Sequence, residues 1–509
     1  MSAFSLLILL SWLCFTRDIC KSDWGGYMKF LYDNLFVIIF IANMLLSLVI
    51  VFRERKQTAQ TWSWLLVLMF IPVLGFILYI FLGRGISKDK IFDMKMQAKI
   101  GMNAEIESEK QALLRGLFPH PPTGEVDSKQ LIYMLTLFES SLYTTNNEVR
   151  LYTDGREKFD GLIEDIRQAT DHVHMEYYIY RGDTLGKEIR QELIDAVKRG
   201  VKVRLLLDAW GSTQVNMKFF EELKKLGGEI AFFFPLFVPY LNPRINYRNH
   251  RKIVVIDGKI GYTGGFNVGN EYLGEVEKFG YWRDNHLRIH GEAVYSLQNR
   301  FLMDWNSQHR EELSYDDAYF PPIYSDGKKA VQVVTSGPDS EHEQIKMTYL
   351  KMISIAKKEI LIQTPYYIPD ASIHEALKLA LLSGVKVRIQ IPNKPDHMLV
   401  YWATYSFSAE LLEYGAIIET YEQGFIHAKT MIIDGGIVSV GSANIDVRSF
   451  RLDFEVNTII YDQEFSKEVR DAFWEDSKVS KLLTEEIYRN RGLIIKLKEG
   501  LARLISPLL

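Results

Sequence analysis

Apolar and polar positions along this chain change pattern three times. Residues 35–52 form an almost unbroken apolar run, and residues 62–82 form a second. A membrane crossing takes ~20 such residues, so both qualify, the first only just. Trp62, Trp64 and Tyr79 sit near the ends of the second run, where interfacial aromatics belong. The pattern predicts a helical hairpin in a membrane region spanning residues 1–90. Residues 1–15 are also apolar, but short and without the basic start of a signal peptide, so their membrane role stays open.

Residues 91–147 are charged, helical in part and broken by Pro119, Pro121 and Pro122, which predicts a connector. Beyond it, strand-like runs alternate with helix-like segments, the pattern of α/β units with a largely parallel sheet. That stretch repeats itself. Residues 176–179 read EYYI against PYYI at 365–368, and GVKVR occurs identically at 200–204 and 384–388. Two halves, 148–325 and 326–509, are expected to form a pseudo-twofold pair. An apolar, Pro-rich stretch at 235–248 lengthens the first half, either to admit acyl chains or as an ordinary packed loop. In the tail, Leu493, Ile494, Leu497, Leu501, Leu504 and Ile505 share one helical face, with Lys496, Lys498 and Arg503 elsewhere. Such an amphipathic helix suits anionic lipid or packing on the catalytic body equally.

Composition narrows the partners. A chain of 509 residues has room for two or three domains, and a net charge of −4 makes no case for nucleic acid. Cys14 and Cys20 both fall in the N-terminal apolar region, so neither a Cys/His metal cluster nor a disulfide framework is implied. Basic residues crowd the flanks of the apolar runs: Arg53, Arg55 and Lys56 between them, and Arg84, Lys88, Lys90, Lys95 and Lys99 after them. This bias favours a cytoplasmic catalytic region, and a hairpin puts both its flanks on that side.

The candidate chemistry lies in two matched stretches, NHRKIVVIDGKIGYTGGFN at 249–267 and IHAKTMIIDGGIVSVGSAN at 426–444. They align His250 with His427, Lys252 with Lys429, Asp257 with Asp434 and Asn267 with Asn444. Each Val/Ile-rich run closing on Asp-Gly reads as a buried strand and turn. Residues two apart on a strand share a face, so each His and its Lys stand side by side. Asp257 and Asp434 lie an odd number of positions from their His and suit a structural role in the turn. Two imidazoles, two ammoniums and two amides make a cationic site for a phosphate diester. One neutral His can attack phosphorus while the other, protonated, supplies the leaving oxygen with its proton. Lys252, Lys429, Asn267 and Asn444 are expected on the non-bridging oxygens, with Ser442 adding a one-sided contact, since Gly265 is its counterpart. Asp284 and Glu455 come into register when the helices after them are aligned. Each is read as orienting the His of its own half, with Glu271 competing against Asp284.

The twice-repeated H-x-K-x4-D with a following G-[GS]-x-N resembles the phospholipase D superfamily, from about residue 149 to the C-terminus. With the apolar runs added, the chain is most similar to its bacterial cardiolipin synthases. The resemblance implies two α-β-α sandwich domains related by pseudo-twofold symmetry, behind a transmembrane hairpin. It implies a multi-pass cell-membrane enzyme that condenses two phosphatidylglycerols to cardiolipin and glycerol through a phosphohistidine, with His250 as nucleophile. No metal and no cofactor are called for, and no nucleic-acid partner. The rival readings keep the chemistry and change the acceptor or donor: a phospholipase D, a phosphatidylserine synthase, a membrane-tethered nuclease. A fold retained without catalysis is the rival from another class.

Overall fold

The computed structural model describes residues 34–53, 65–69, 75, 103–139, 141–234, 246–308, 313, 316–340 and 342–506. Most of the second apolar run, the residues 1–15 segment, the basic flanks 55–56 and 84–99, and residues 235–245 of the Pro-rich stretch lie outside them. The chain divides into two compact units, residues 1–87 and 88–509.

In the first unit the first apolar run folds as the 19-residue helix Leu35–Arg53. Its length, about 28 Å at ~1.5 Å per residue, stops just short of a ~30 Å hydrocarbon core. Among the described residues no helix is long and apolar enough to cross a membrane. Asn43, buried midway along this helix, donates its amide to the Leu68 carbonyl in the second run at 3.4 Å.

The second unit is built on one sheet that runs through both halves. Its centre is the antiparallel contact of Thr144–Tyr152 with Lys329–Ser336. Outward in the first half come His286–Gly291, Ile260–Gly264, Ile253–Ile256, His172–Tyr177, Lys202–Asp208 and Glu229–Phe233. Outward in the second come their counterparts Asp453–Tyr461, Ile437–Gly441, Thr430–Ile433, Glu359–Gln363, Lys386–Pro392 and Ile417–Tyr421, with Ser480–Leu483 added at the far edge. The expectation of a largely parallel sheet needs correction. The three outer counterpart strands of each half run parallel, as strand–helix–strand crossovers require, but the inner strands are antiparallel. Part of the cause is local: the three-residue turns 257–259 and 434–436, each opening on an Asp-Gly pair at positive φ, reverse the chain and leave no room for a crossover there.

The GVKVR repeat is a true structural match. Gly200 and Gly384 take φ of 94° and 89° to turn each chain into its strand, where Val203 and Val387 occupy equivalent rungs. The YYI repeat is not. Tyr180 pairs with Val268 and Tyr367 with Ile445, each one residue past the motif Asn, so Tyr180 rather than Tyr178 is the counterpart of Tyr367. Register is decided by strand pairing, and a three-letter recurrence two residues out of step had no pairing to support it.

Each half has its own apolar core between sheet and helices. Val126, Leu131, Ile132 and Leu135 belong to the core of the second half, so the connector's helix Lys129–Glu139 is part of that core. Asp183 and Asp370 accept backbone N–H bonds at the starts of Thr184–Lys198 and Ala371–Leu382, fixing where those helices begin.

Asp257 and Asp434 spend their carboxylates on backbone. Asp257 accepts the N–H groups of Thr170, Asp171 and His172, and Asp434 those of Lys357, Lys358 and Glu359, at 2.7–3.0 Å. Burial alone would raise the Asp257 carboxyl, but these donors outweigh it and hold it below the ordinary value. Asp434→Ala is therefore expected to cost about 1–3 kcal/mol in denaturant unfolding, with Asp434→Asn recovering part of it. The Asp257 contribution is full above the ordinary carboxylate pKa of ~3.9 and is lost as pH falls through its lower folded value. Acid unfolding of Asp257→Ala and the parent chain should thus converge at low pH.

Candidate active site

Each motif reaches across to the opposite half before it returns to its own sheet. Arg248–Asn249 pairs in parallel with Asp453–Phe454, and the His250 N–H then donates to the Phe454 carbonyl at 2.9 Å. Gly424–Ile426 pairs likewise with Tyr281–Arg283, and the His427 N–H donates to the Arg283 carbonyl at 2.7 Å. His250 to Lys252 and His427 to Lys429 are consequently extended segments ahead of the sheet strands, not part of them as the sequence pattern suggested. The backbone N–H of each histidine goes to the other half.

This crossing corrects the expected acid pairing. His250 Nδ1 lies 3.0 Å from both oxygens of Glu455, in the second half, and His427 Nδ1 lies 2.6 Å from Asp284 Oδ2, in the first. The two acids are in register as carriers, but each serves the histidine of the opposite half. Glu271 pairs with Arg181 at 3.2 Å and takes no part. A carboxylate can only accept, so it holds the proton on Nδ1 and leaves the Nε2 lone pair of each ring for chemistry. Each ring keeps a small opening: the side chains are 12% and 10% exposed.

Both lysines are buried, and each ammonium donates to the carbonyl of its own histidine, Lys252 to His250 at 2.6 Å and Lys429 to His427. The two half-sites form one electrostatic cluster. Lys429 lowers the pKa of His250, Lys252 lowers that of His427, and Glu455 and Asp284 each act on both lysines. Burial is the main influence on all four bases. It brings both histidines down to about 4, Lys252 down to about 8 and Lys429 down to about 7. Burial opposes ionisation of Glu455, yet His250, Lys252 and the Ser442 hydroxyl together hold it below its ordinary value. At neutral pH both imidazoles are free bases.

The remaining motif residues divide by what they touch. The Ser442 hydroxyl donates to Glu455 and accepts the Val456 N–H at 3.0 Å, so it steadies the acid rather than facing outward as a substrate contact. Its counterpart Gly265 has no room for a side chain: a Cβ there would come within 2.0 Å of Asp284 Oδ1. Asn267 accepts the Ile179 N–H at 3.1 Å and donates to the Tyr272 hydroxyl at 3.2 Å. The Asn444 backbone N–H donates to the Ser449 hydroxyl oxygen at 3.2 Å, and its side-chain oxygen is buried without a partner. Among the described residues no group of three or more His, Cys, Asp or Glu is arranged to hold a metal ion.

Three residues at the site escaped the sequence pattern. Tyr178 stands edge-on to His250 at 4.9 Å between ring centres, and Trp282 lies against His427 at 5.1 Å. Arg251, between His250 and Lys252, points the opposite way and is fully buried. It pairs with Asp304 and donates to the carbonyls of Ser336 and Glu455, at 3.0 and 3.1 Å, which ties the first motif to the second half. An Arg at the alternate position of a buried segment was a usable signal, since such a charge needs a partner.

Known proteins share this arrangement of sequence. The family described as cardiolipin synthase, PLD-like domain, matches residues 162–305 and 349–477, and phospholipase D-nuclease N-terminal matches residues 36–84. The major cardiolipin synthase of Bacillus subtilis (strain 168) is 51% identical over 471 residues, covering 92% of this chain and 98% of its own. The cardiolipin synthase of Staphylococcus aureus (strain Mu50 / ATCC 700699) is 50% identical over 478 residues, 94% of this chain and 97% of its own. Among solved structures, the phosphatidylserine synthase of Haemophilus influenzae Rd KW20 superposes with a TM-score of 0.55 at 18% identity, over 71% of this chain and 95% of that one. That likeness is one of fold.

The crossed pairing makes a titration prediction. Nitrogen NMR should show both histidines neutral until pH falls through about 4. Glu455→Gln removes the charge that favours the His250 imidazolium, so the His250 midpoint should drop further while that of His427 moves far less. A larger shift at His427 would contradict the assignment of partners.

Proposed function

The chain belongs to the cardiolipin synthases of the phospholipase D type, and from that membership we propose how its paired site joins two phosphatidylglycerols into cardiolipin and glycerol. His250 Nε2 attacks the phosphorus of the first lipid. A P–N bond forms, the bond from phosphorus to the glycerol oxygen breaks, and His427 gives that oxygen a proton. His427, neutral again, then takes the proton from the primary hydroxyl of a second phosphatidylglycerol. The resulting oxygen attacks the phosphohistidine, the P–N bond breaks, and cardiolipin leaves with both histidines restored.

The observation that carries this reading is the crossed His–carboxylate pairing, because it joins two equivalent bases into one site. We take His250 as the nucleophile and His427 as the acid–base partner, as the family resemblance implies; each has a carboxylate on Nδ1 that supports an imidazolium. A histidine that titrates near 4 in the free enzyme gains its proton when the diester's negative charge enters beside it. Lys252 and Lys429 neutralise the non-bridging oxygens, and Asn267 and Asn444 complete the polar ring. Asn267 does so with one amide hydrogen already given to Tyr272. These cations stand where a metal would otherwise serve, so the scheme needs none.

The enzyme is membrane-associated, as its family and its matched N-terminal segment imply. We place it as a multi-pass protein of the cell membrane, with residues 35–52 and 62–82 as a hairpin and catalysis on the cytoplasmic side. The Lys and Arg residues that flank the two runs support that orientation.

Purified enzyme given labelled phosphatidylglycerol should release cardiolipin and glycerol in equal amounts, with turnover that survives EDTA. Phosphatidic acid as the main product would make it a hydrolase instead. His250→Ala and His427→Ala should each lose about 10³- to 10⁶-fold in kcat. In the free enzyme kcat/KM should fall as pH rises through about 7 to 8, where Lys429 and then Lys252 lose their protons.

A further inference from the structure

The helix Leu493–Ile505 is attached to the catalytic body by a narrow side of mixed character, with Ala502 packed among Ile368 and Ala403. Glu499 and Ala502 are buried, Arg503 pairs with Glu410, and the Lys498 ammonium lies 4.9 Å over the Trp402 ring. The wide apolar side faces out. Leu493 is 84% exposed, Ile494 70%, Leu497 64%, Leu501 55% and Leu504 76%. At ~100° per residue these five fall within about 100° of arc, and Lys496 and Lys498 lie just beyond its two borders. An amphipathic helix in a folded body ordinarily buries that stripe. Here it is the opposite side that packs.

The stripe continues toward the active site. Helix Met398–Glu410 runs alongside in the same direction, Trp402 meeting Lys498 and Glu410 meeting Arg503. At its start Met398 and Leu399 are 50% and 43% exposed. Two residues earlier, Asp396 accepts the Tyr366 hydroxyl, and its charge acts on Lys429. Exposed apolar side chains therefore extend from the edge of the paired-histidine site along two parallel helices.

We propose that this surface docks on a bilayer carrying anionic headgroups and holds the rim of the site against the lipid. Leucine and isoleucine side chains enter the acyl boundary while Lys496 and Lys498, which lie exposed beside the stripe with one on the Arg489 carbonyl and the other on the Trp402 ring, meet the headgroups. A second copy fits the face less well, because a twofold contact sets like charges from the two lysine margins against one another. The docking rests on the cardiolipin synthase reading for the identity of the substrate lipid; attachment to the membrane surface does not depend on it.

The test uses the full chain with Cys14→Ser and Cys20→Ser, and a polarity-sensitive fluorophore on Leu501→Cys, reconstituted in phosphatidylglycerol vesicles. Spin labels on the acyl chains should quench the fluorophore by at least about twofold, and adding Leu497→Glu with Leu504→Glu should abolish the quenching. The same two glutamates in the parent chain should cut cardiolipin formation from vesicles about tenfold and leave it within about twofold in mixed micelles. No quenching at position 501, or an equal loss in both assays with a change in oligomeric mass, would overturn the proposal. Phosphatidic acid as the product, with quenching intact, would overturn the phosphatidyl-transfer reading and leave the docking surface standing.

Discussion

A buried carboxylate from one half lies against the imidazole of the other, twice, and most of the architecture serves those two contacts. Neither half can orient its own histidine. The short parallel ladders at Arg248–Asn249 and Gly424–Ile426 deliver each histidine to the opposite acid. Arg251 and Arg283 then fasten the crossing: Arg251 donates to the Ser336 and Glu455 carbonyls, and Arg283 pairs with Asp476 at 2.9 Å. Even the residue before Ala443 or Phe266 is chosen by the acid it must accommodate. Glu455 takes a serine hydroxyl, whereas Asp284 needs a glycine.

The charges in this cluster explain why burial is tolerated. Lys252 and Lys429 balance Asp284 and Glu455 while both histidines are neutral, so the resting site is close to electroneutral inside a low-dielectric surround. A phosphate diester adds one negative charge. In the proposed transfer one proton on one histidine restores the balance, and that protonated histidine is what the leaving glycerol requires. Burial has thus set the histidines to be uncharged without substrate and to gain a proton with it. Two reactive bases under one phosphorus need this property, since two permanently protonated rings would leave no nucleophile.

A site enclosed by its own halves must still meet a substrate whose tails stay in the bilayer. The outward apolar face of Leu493–Ile505 and the exposed start of Met398–Glu410 give the second half a lipid-compatible surface. In the proposed arrangement the N-terminal segment tethers the chain, but a tether alone does not orient a body. Orientation falls to a surface that is part of that body.

The family of this protein was written in its sequence, because the paired motifs recur at fixed spacing and repetition itself announces two matched halves. The two halves, the GVKVR strands and the register of Asp284 with Glu455 were legible for the same reason: each rests on local pattern. What required tertiary structure was every decision made between distant segments. Which acid serves which histidine, the two-residue slip of the YYI repeat, the antiparallel inner strands and the role of Ser442 all depend on pairing partners far apart in the chain. So does the direction in which the C-terminal helix turns its apolar side. Its periodicity defined the stripe, but only the shape of the surface it packs against determined that the stripe faces outward.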